Sequence, residues 1–163
     1  MGAGKTTVAG LLASRWGTTV RDTDLDVEAA EGRRISDIFV DEGEAHFRAL
    51  ERAAVADALA GHDGVLALGG GAVLDPTTRW LLADHTVVFL QVGLSDAVKR
   101  VGLGVGRPLL LGNVRARVKA LLDERLPLYQ EVADVQVDTD GRTPDDVAAE
   151  VAEAVEKLEA GAG

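Results

Sequence analysis

Apolar residues in this chain recur at helical spacing over long segments, and short apolar runs lie between those segments. Directly after Gly4 the apolar residues keep to one helical face and stop before Gly17, which predicts a first helix over Lys5–Trp16. A second apolar face predicts a long helix that ends near Gly61. The residues of that face are Phe47, Leu50, Ala54, Val55, Ala58 and Leu59.

Four short runs rich in apolar and β-branched residues predict strands. They cover residues 18–21, 65–68, 86–92 and 135–137. Thr143 and Pro144, followed by two acidic residues, predict the start of a last helix, because they suit an N-cap, a first-turn proline and the positive helix end. Strands that alternate with helices predict right-handed βαβ units, and hence an α/β fold whose parallel sheet is covered by helices on both faces.

Length and composition predict a single domain over residues 1–163 with one core. No apolar run approaches the roughly 20 residues that a membrane span needs, the N-terminus has no secretory pattern, and cysteine is absent. We therefore expect a cytoplasmic monomer with no membrane partner, no disulfide and no thiolate metal site.

The formal net charge of −10 argues against nucleic acid as a partner, because binding to a phosphate backbone needs a basic face. A small anionic ligand is still compatible with this charge. An acidic protein can bind such a ligand if a few of its arginines converge in one cleft, so the positions of the arginines matter most.

Residues 2–7 read Gly-Ala-Gly-Lys-Thr-Thr, the second half of the phosphate-binding pattern G-x-x-x-x-G-K-[ST]. In that pattern the loop amides face phosphate oxygens, Lys5 reaches the β- and γ-phosphates, and the Thr6 hydroxyl binds Mg²⁺. A chance glycine-rich terminus is the alternative. The first glycine of the pattern and the strand that feeds the loop would precede Met1, so we expect the natural chain to begin upstream of this residue.

Two acidic residues and a charged pair are further candidates. Asp22 and Asp24 follow the first predicted strand, at the end where open α/β sheets bind ligands, and they could serve a metal and a substrate hydroxyl. A turn with an N-cap explains them equally well. Arg48 and Glu51 lie three apart on a helix, so the carboxylate can hold the guanidinium, and a surface ion pair is the alternative.

Three successive glycines, Gly69, Gly70 and Gly71, follow the second predicted strand and indicate a close approach between ligand and backbone, or else a flexible turn. Glycines before Arg107 suit a mobile lid that brings positive charge over a phosphate, with an ordinary surface loop as the alternative. Pro127 predicts a helix end beside Arg125, and by itself this position predicts an exposed side chain.

Taken together, these segments resemble shikimate kinase along nearly the whole chain. The family motifs G-K-[ST], D-x-D, F-R-x-x-E, G-G-G, R-P-L-L and R-x-P-x-Y all occur in order. The resemblance implies a three-layer P-loop kinase fold with strand order 2-3-1-4-5, whose first, central strand is absent from these residues. It also implies a substrate-binding helical segment over about 24–60, a lid over about 102–114, and transfer of the γ-phosphoryl group of ATP to the 3-hydroxyl of shikimate.

The resemblance also implies a role for each candidate residue. Asp24 orients the attacking hydroxyl, Arg48 and Arg125 grip the shikimate carboxylate, and Arg107 neutralises the transferring group. Asp22 and Thr6 serve Mg²⁺, Lys5 is catalytic, and the glycines at 69–71 bind substrate. The ATP-binding residues are Gly2, Ala3, Gly4, Lys5, Thr6, Thr7, Arg100, Arg107, Arg142 and Pro144. Arg21 departs from the family, which usually has an apolar residue there.

Two other functions are compatible with parts of this pattern. Another small P-loop kinase, such as a gluconate kinase, would share Lys5 and Thr6 but would need neither Arg48 with Glu51 nor the arginine pair. A truncated, catalytically silent nucleotide-binding module would follow from loss of the first strand. Activity on shikimate or on gluconate distinguishes these possibilities.

Overall fold

The computed structural model describes residues 4–105 and 111–163, with the side chains outside 101–112. Its helices are α1 (Lys5–Trp16), α2 (Thr23–Glu31), α3 (Ile35–Glu42), α4 (Glu44–Gly61), α5 (Pro76–Leu82), α6 (Leu94–Val105), α7 (Leu111–Val132) and α8 (Pro144–Gly161). Its strands are β1 (Val20–Asp22), β2 (Val65–Ala67), β3 (Val88–Gln91) and β4 (Val135–Asp138). None of the helices in these ranges is long and apolar enough to cross a membrane.

The strands form two parallel pairs. β1 pairs with β2, so that Val20 lies opposite Val65, and β3 pairs with β4, so that Val88 lies opposite Val135. Parallel pairing with intervening helices confirms the α/β fold class expected from the sequence. Within the two described ranges the pairs are not joined to each other by strand hydrogen bonds, and the order 2-3-1-4-5 stays a prediction.

Helices α1 and α8 form the largest core with the strands. Val8 and Leu12 of α1 are buried against Val151 and Val155 of α8, and apolar residues of β2, β3 and β4 pack on the same cluster. Gly17 ends α1 in the left-handed conformation (φ 63°), and its N–H bonds to the carbonyls of the last helical turn. The first helix therefore has the predicted bounds, because a local stop signal agrees with the packing.

The carboxyl ends of β1 and β2 lie at the same edge, because the two strands are parallel and in register. Asp22 ends β1 and accepts hydrogen bonds from the amides of Asp24 and Leu25, which makes it the N-cap of α2. Thr23 is fully buried, and its hydroxyl lies 3.5 Å from the carbonyl oxygen of Ala67 at the end of β2. The start of α2 is thus held close to the glycine segment that follows β2.

Arg21, the residue that departs from the family pattern, forms two ion pairs in the described part of the chain. Its Nε donates to Asp26 of α2 at 2.7 Å, and its Nη2 donates to Asp57 of α4 at 2.8 Å. The guanidinium therefore bridges two helices beside β1, which explains how a cation is accommodated where an apolar strand residue is usual.

Candidate active site

The phosphate loop is described from Gly4 onwards. Gly4 has a positive φ of 73°, a conformation that favours glycine, and its carbonyl oxygen accepts the amide of Val8 in the first turn of α1. Lys5 is half-buried, whereas Thr6 and Thr7 are exposed at the start of this helix. An exposed helix N-terminus with free amides suits an anion. Gly2 and Ala3, which the resemblance assigns to ATP, lie outside the described residues.

Asp22 and Asp24 have different environments. Asp22 uses Oδ1 to cap α2, so the N-cap interpretation is correct for this residue, and Oδ2 is not needed for the cap. Asp24 is half-buried in the first turn of α2. Burial raises the pKa of its carboxyl above the ordinary value, and the charge of Lys5 opposes this rise. Lys5 and Asp24 are thus close enough for the charges to interact.

Gly69 lies directly against two carboxylates. A β-carbon at this position would be 2.6 Å from Oδ1 of Asp24 and 3.1 Å from Oε2 of Glu51. Any larger side chain would displace at least one of these groups. The absence of a side chain therefore allows carboxylates from α2 and α4 to meet at one point of the backbone.

Arg48 and Glu51 form a partly buried pair and not a fully exposed surface ion pair. Nη1 of Arg48 donates to Oε1 of Glu51 at 2.7 Å, and the side chain of Glu51 is only 5% exposed. Burial raises the pKa of Glu51, although the Arg48 guanidinium opposes this. Arg48 also lies over the ring of Phe47, with 5.3 Å between Cζ and the ring centroid, and contacts Gly71, where a β-carbon would lie 2.5 Å from Cζ.

The expectations of a helix end at Pro127 and of an exposed Arg125 are both wrong. α7 continues through Pro127 to Val132, and Arg125 is only 9% exposed. Proline removes one helical hydrogen bond. Packing on both sides of Pro127 offsets that loss, since Val118 lies in a core with α6 and the ring of Tyr129 stacks on Phe89. The tertiary contacts thus outweigh the tendency of proline to end a helix.

Arg125 is a buried cation that forms no ion pair with another described residue. Its Nε is buried and makes no hydrogen bond within the described ranges, and it takes part in none of the ion pairs found between described residues. A buried charge without a partner is costly, and such charges are normally paired. The arrangement is therefore suited to an anion that comes from outside the protein.

Arg48 and Arg125 converge on the same region although they come from α4 and α7. The charges of both arginines act on the carboxyl of Glu51 and on the hydroxyl of Tyr129. Glu51 and Glu44 both pair with Arg48, whereas Arg125 forms no ion pair among the described residues. Convergence of a few arginines is the condition for anion binding by this acidic chain, and Arg48 and Arg125 act on the same neighbours.

Tyr129 belongs to the R-x-P-x-Y motif, but sequence reasoning assigned it no role. Its hydroxyl donates to the carbonyl oxygen of Gly70 at 2.6 Å, and its ring stacks on Phe89 with 4.8 Å between the centroids. The available signal was its position four residues after Arg125, which places the two side chains on the same helical face.

The residues expected near the adenine of ATP differ in their surroundings. Arg100 approaches the phosphate loop, since its Nη1 would lie 3.8 Å from a β-carbon at Gly4. Arg142 instead lies against α8, where its Nη1 contacts Glu150 at 2.5 Å and donates to the carbonyl of Asp138 at 3.0 Å. Pro144 is the exposed first residue of α8.

The proposed lid falls partly in the part of the chain that is not described. Residues 102–105 are the last residues of α6, and 111–114 are the first of α7. Arg107, to which the resemblance gives a catalytic role and an ATP contact, lies outside the described residues, as does the rest of the 106–110 segment.

Comparison with known proteins gives one consistent family. The family model described as shikimate kinase matches residues 1–156. The shikimate kinase of Salinispora arenicola is 64% identical over 151 residues, which are 93% of this chain and 90% of that protein. The enzyme of Streptomyces coelicolor is 56% identical over 160 residues, which are 98% of this chain and 94% of that protein.

Solved structures agree with the sequence comparison. A shikimate kinase from Acinetobacter baumannii in complex with shikimate superimposes with a TM-score of 0.90 and 34% identity, covering 97% of this chain and 89% of that one. The enzyme from Aquifex aeolicus gives a TM-score of 0.79 at 30% identity, covering 99% of this chain and 94% of that one. The fold and its site-bearing segments therefore have counterparts of known structure.

Proposed function

The chain belongs to the shikimate kinase family, and on that premise we propose that it transfers the γ-phosphoryl group of ATP to the 3-hydroxyl of shikimate. The observation that carries the proposal is Arg125, a buried guanidinium that forms no ion pair among the described residues and acts on the same neighbours as Arg48. A substrate carboxylate would supply the missing negative charge.

Arg125 and Arg48 bind this carboxylate from two sides. A guanidinium offers parallel N–H donors that match two carboxylate oxygens, which favours an acid over a neutral sugar. Glu51 holds Arg48 through the 2.7 Å hydrogen bond, so that Arg48 is oriented before substrate arrives. The backbone of Gly69, Gly70 and Gly71 approaches the ring of the substrate closely because these residues have no side chains.

Asp24 orients the attacking hydroxyl group and takes its proton. The hydroxyl oxygen forms a bond with the γ-phosphorus as the bond from phosphorus to the β-bridging oxygen of ATP breaks, and ADP leaves. The proton of the hydroxyl passes to the Asp24 carboxylate, whose pKa is raised by burial and which is therefore a better base than an exposed aspartate. Positioning and charge stabilisation supply most of the acceleration in such reactions.

The triphosphate lies at the N-terminus of α1. Gly2, Ala3, Gly4 and Thr7 provide backbone amides, and Lys5 places its ammonium group on the β- and γ-phosphates. Arg100, which approaches Gly4, contributes charge on the nucleotide side. Arg107 carries charge to the transferring group, and Arg142 and Pro144 border the adenine.

The donors near this loop fit Mg²⁺. Thr6 has an exposed hydroxyl at the start of α1, and Asp22 uses Oδ1 for the helix cap, which leaves Oδ2 for the water shell of an ion. Oxygen donors with retained water suit this cation. When bound with ATP, Mg²⁺ supplies charge neutralisation at the phosphate oxygens. We also propose that the protein is a cytoplasmic monomer and that residues 102–114 form a lid.

A coupled assay of ADP release tests the function directly. The purified protein is given ATP and either shikimate or gluconate, with and without Mg²⁺. We expect ADP release with shikimate and Mg²⁺ only. Phosphorylation of gluconate but not shikimate would identify the alternative kinase, and no turnover of either acid in a folded protein would favour the silent nucleotide-binding module.

A further inference from the structure

The carbonyl group of Gly70 is held by a side chain from another part of the chain. Tyr129 of α7 donates its hydroxyl hydrogen to this oxygen at 2.6 Å, across a sequence separation of 59 residues. The carbonyls of the neighbouring glycines have local partners, since Gly69 accepts from the amide of Ala72 at 3.1 Å and Gly71 accepts from that of Leu74 at 3.1 Å. Tyr129 thus supplies the long-range restraint at the middle of the segment.

A restraint of this kind is needed because three glycines in succession have no side chains by which they could be packed in place. Ordering a residue's backbone costs about 1–2 kcal/mol, and glycine loses more freedom than other residues. The position of this segment matters because Gly69 lies against Asp24 and Glu51, and Gly71 lies against Arg48. A shift of the Gly70 peptide would therefore disturb both the base and one arginine.

The hydroxyl of Tyr129 is also placed near the second arginine. Tyr129 follows Arg125 by one helical turn on α7, and the positive charges of Arg125 and Arg48 act on its hydroxyl. Burial is the larger effect and raises the pKa of Tyr129, so the hydroxyl keeps its hydrogen and stays a donor at neutral pH. The ring is fixed independently by stacking on Phe89 of β3, with an angle of 27° between the planes.

We propose that Tyr129 is a positioning residue that fixes the Gly69–Gly71 backbone relative to Arg125, so that loop and arginine together present one preformed site for the substrate acid. It acts through the Gly70 carbonyl and does not itself react. The inference rests on the proposed function and deepens it, because it assigns the geometry of the acid-binding half of the site to a hydroxyl on α7.

Two variants distinguish the role of the Tyr129 hydroxyl from the role of its stacked ring. Tyr129→Phe removes the hydrogen bond and keeps the stacked ring, whereas Phe89→Leu removes the stack and keeps the hydroxyl. Loss of one positioning hydrogen bond is expected to raise the KM for shikimate about five- to tenfold in Tyr129→Phe. The KM for ATP should stay within about twofold, because the nucleotide is bound at α1.

Phe89→Leu should show the opposite pattern, with a lower unfolding temperature than Tyr129→Phe and a smaller change in the KM for shikimate. Trp16→Phe is the matched control for loss of one polar atom from an aromatic residue, since Nε1 of Trp16 donates to Glu156 at 3.1 Å on the α1–α8 surface. Its kinetic constants should equal those of the unaltered protein.

A rise below threefold in the KM for shikimate of Tyr129→Phe overturns the inference, as does an equal rise in the KM for ATP. Failure of Tyr129→Phe to fold would assign the hydroxyl to fold stability and overturn it as well. These outcomes leave the proposed function intact if the unaltered protein phosphorylates shikimate. Absence of that activity in the unaltered protein would instead count against the function itself.

Discussion

Gly71 and Arg48 are in direct contact, and the guanidinium of Arg48 occupies the space that a side chain at Gly71 would need. A β-carbon there would lie 2.5 Å from Cζ, with Nη1 closer still. The φ of Gly71 is −92°, a value that any residue adopts, so glycine is required here for space and not for backbone conformation. The contact joins the glycine segment to the α4 helix that carries Glu51.

Gly71→Ala is therefore expected to displace Arg48 without straining the backbone. Weaker gripping of the carboxylate should raise the KM for shikimate at least about tenfold, the scale of one charge-assisted hydrogen bond, with little change in the KM for ATP. Gly10→Ala is the matched control, because a β-carbon at this position on α1 meets nothing within 4 Å. It should stabilise the helix by about 0.5–1 kcal/mol and leave shikimate kinetics unchanged. Equal kinetics for the two variants would contradict the steric account.

Replacement of Arg125 by methionine is expected to separate stability from function. The guanidinium is buried, and its Nε has no partner among the described residues, so an apolar side chain of similar length should remove a desolvation cost. We expect the unfolding temperature to rise by about 2–4 °C for each kcal/mol recovered, while the KM for shikimate rises about 100-fold. Thermal unfolding with and without shikimate measures the change in stability, and steady-state kinetics measure the change in KM.

Arg125→Lys is the companion variant. It keeps the charge but loses the planar fork of donors, so its KM should lie between those of the methionine variant and the unaltered protein. Shikimate should stabilise the unaltered protein against heat by about 2.7 kcal/mol at a concentration 100 times its Kd. At the same concentration it should stabilise Arg125→Met by only about 0.4 kcal/mol if the affinity is about 100-fold weaker. Equal ligand-induced stabilisation of both proteins would show that Arg125 is not a substrate contact.

Asp24→Asn should lower turnover about 10²–10⁴-fold and at the same time raise stability at neutral pH. The folded-state pKa of Asp24 is raised above the unfolded value, mainly by burial, so the unfolded chain releases this proton first as the pH rises. Its contribution to stability is consequently greatest below about pH 4 and is lost as the pH passes through the raised pKa.

Asp24→Asn has no ionisable group at this position, so it does not lose this stability as the pH rises. The difference in unfolding temperature between Asp24→Asn and the unaltered protein should therefore be positive at pH 7 and should shrink as the pH is lowered to 4. Melting curves at several pH values provide the measurement. A difference that grows at low pH would mean that the fold stabilises Asp24 as a carboxylate and lowers its pKa instead of raising it.

Arg48→Ala and Arg107→Ala should affect different kinetic constants. Arg48 meets a carboxylate whose charge does not change during the reaction, so its loss should mainly raise the KM for shikimate. Arg107, which lies outside the described residues, is proposed to meet charge that develops on the transferring group, so its loss should mainly lower kcat. Steady-state kinetics with the reverse pattern would argue against both roles.

Elements whose signals are local were predictable from sequence. Lys5–Trp16 has the expected bounds because Gly17 stops the helix, and Thr143 caps α8 as expected, with its hydroxyl accepting the amide of Asp146 at 3.2 Å. The pairing of Arg48 with Glu51 was likewise predictable, since residues three apart on a helix face the same way. Each of these features depends on neighbours within one or two helical turns.

The sequence by itself determined the α/β class, the family and the residue types that can bind an acid and a triphosphate. Tertiary structure alone decided which of them are buried and which meet: Arg125 is enclosed although Pro127 indicated a helix end, and Tyr129 bonds to Gly70 across a separation of 59 residues. The physical reason is that burial and long-range contact depend on packing between distant helices and strands, and this packing outweighs the local preference of a single proline.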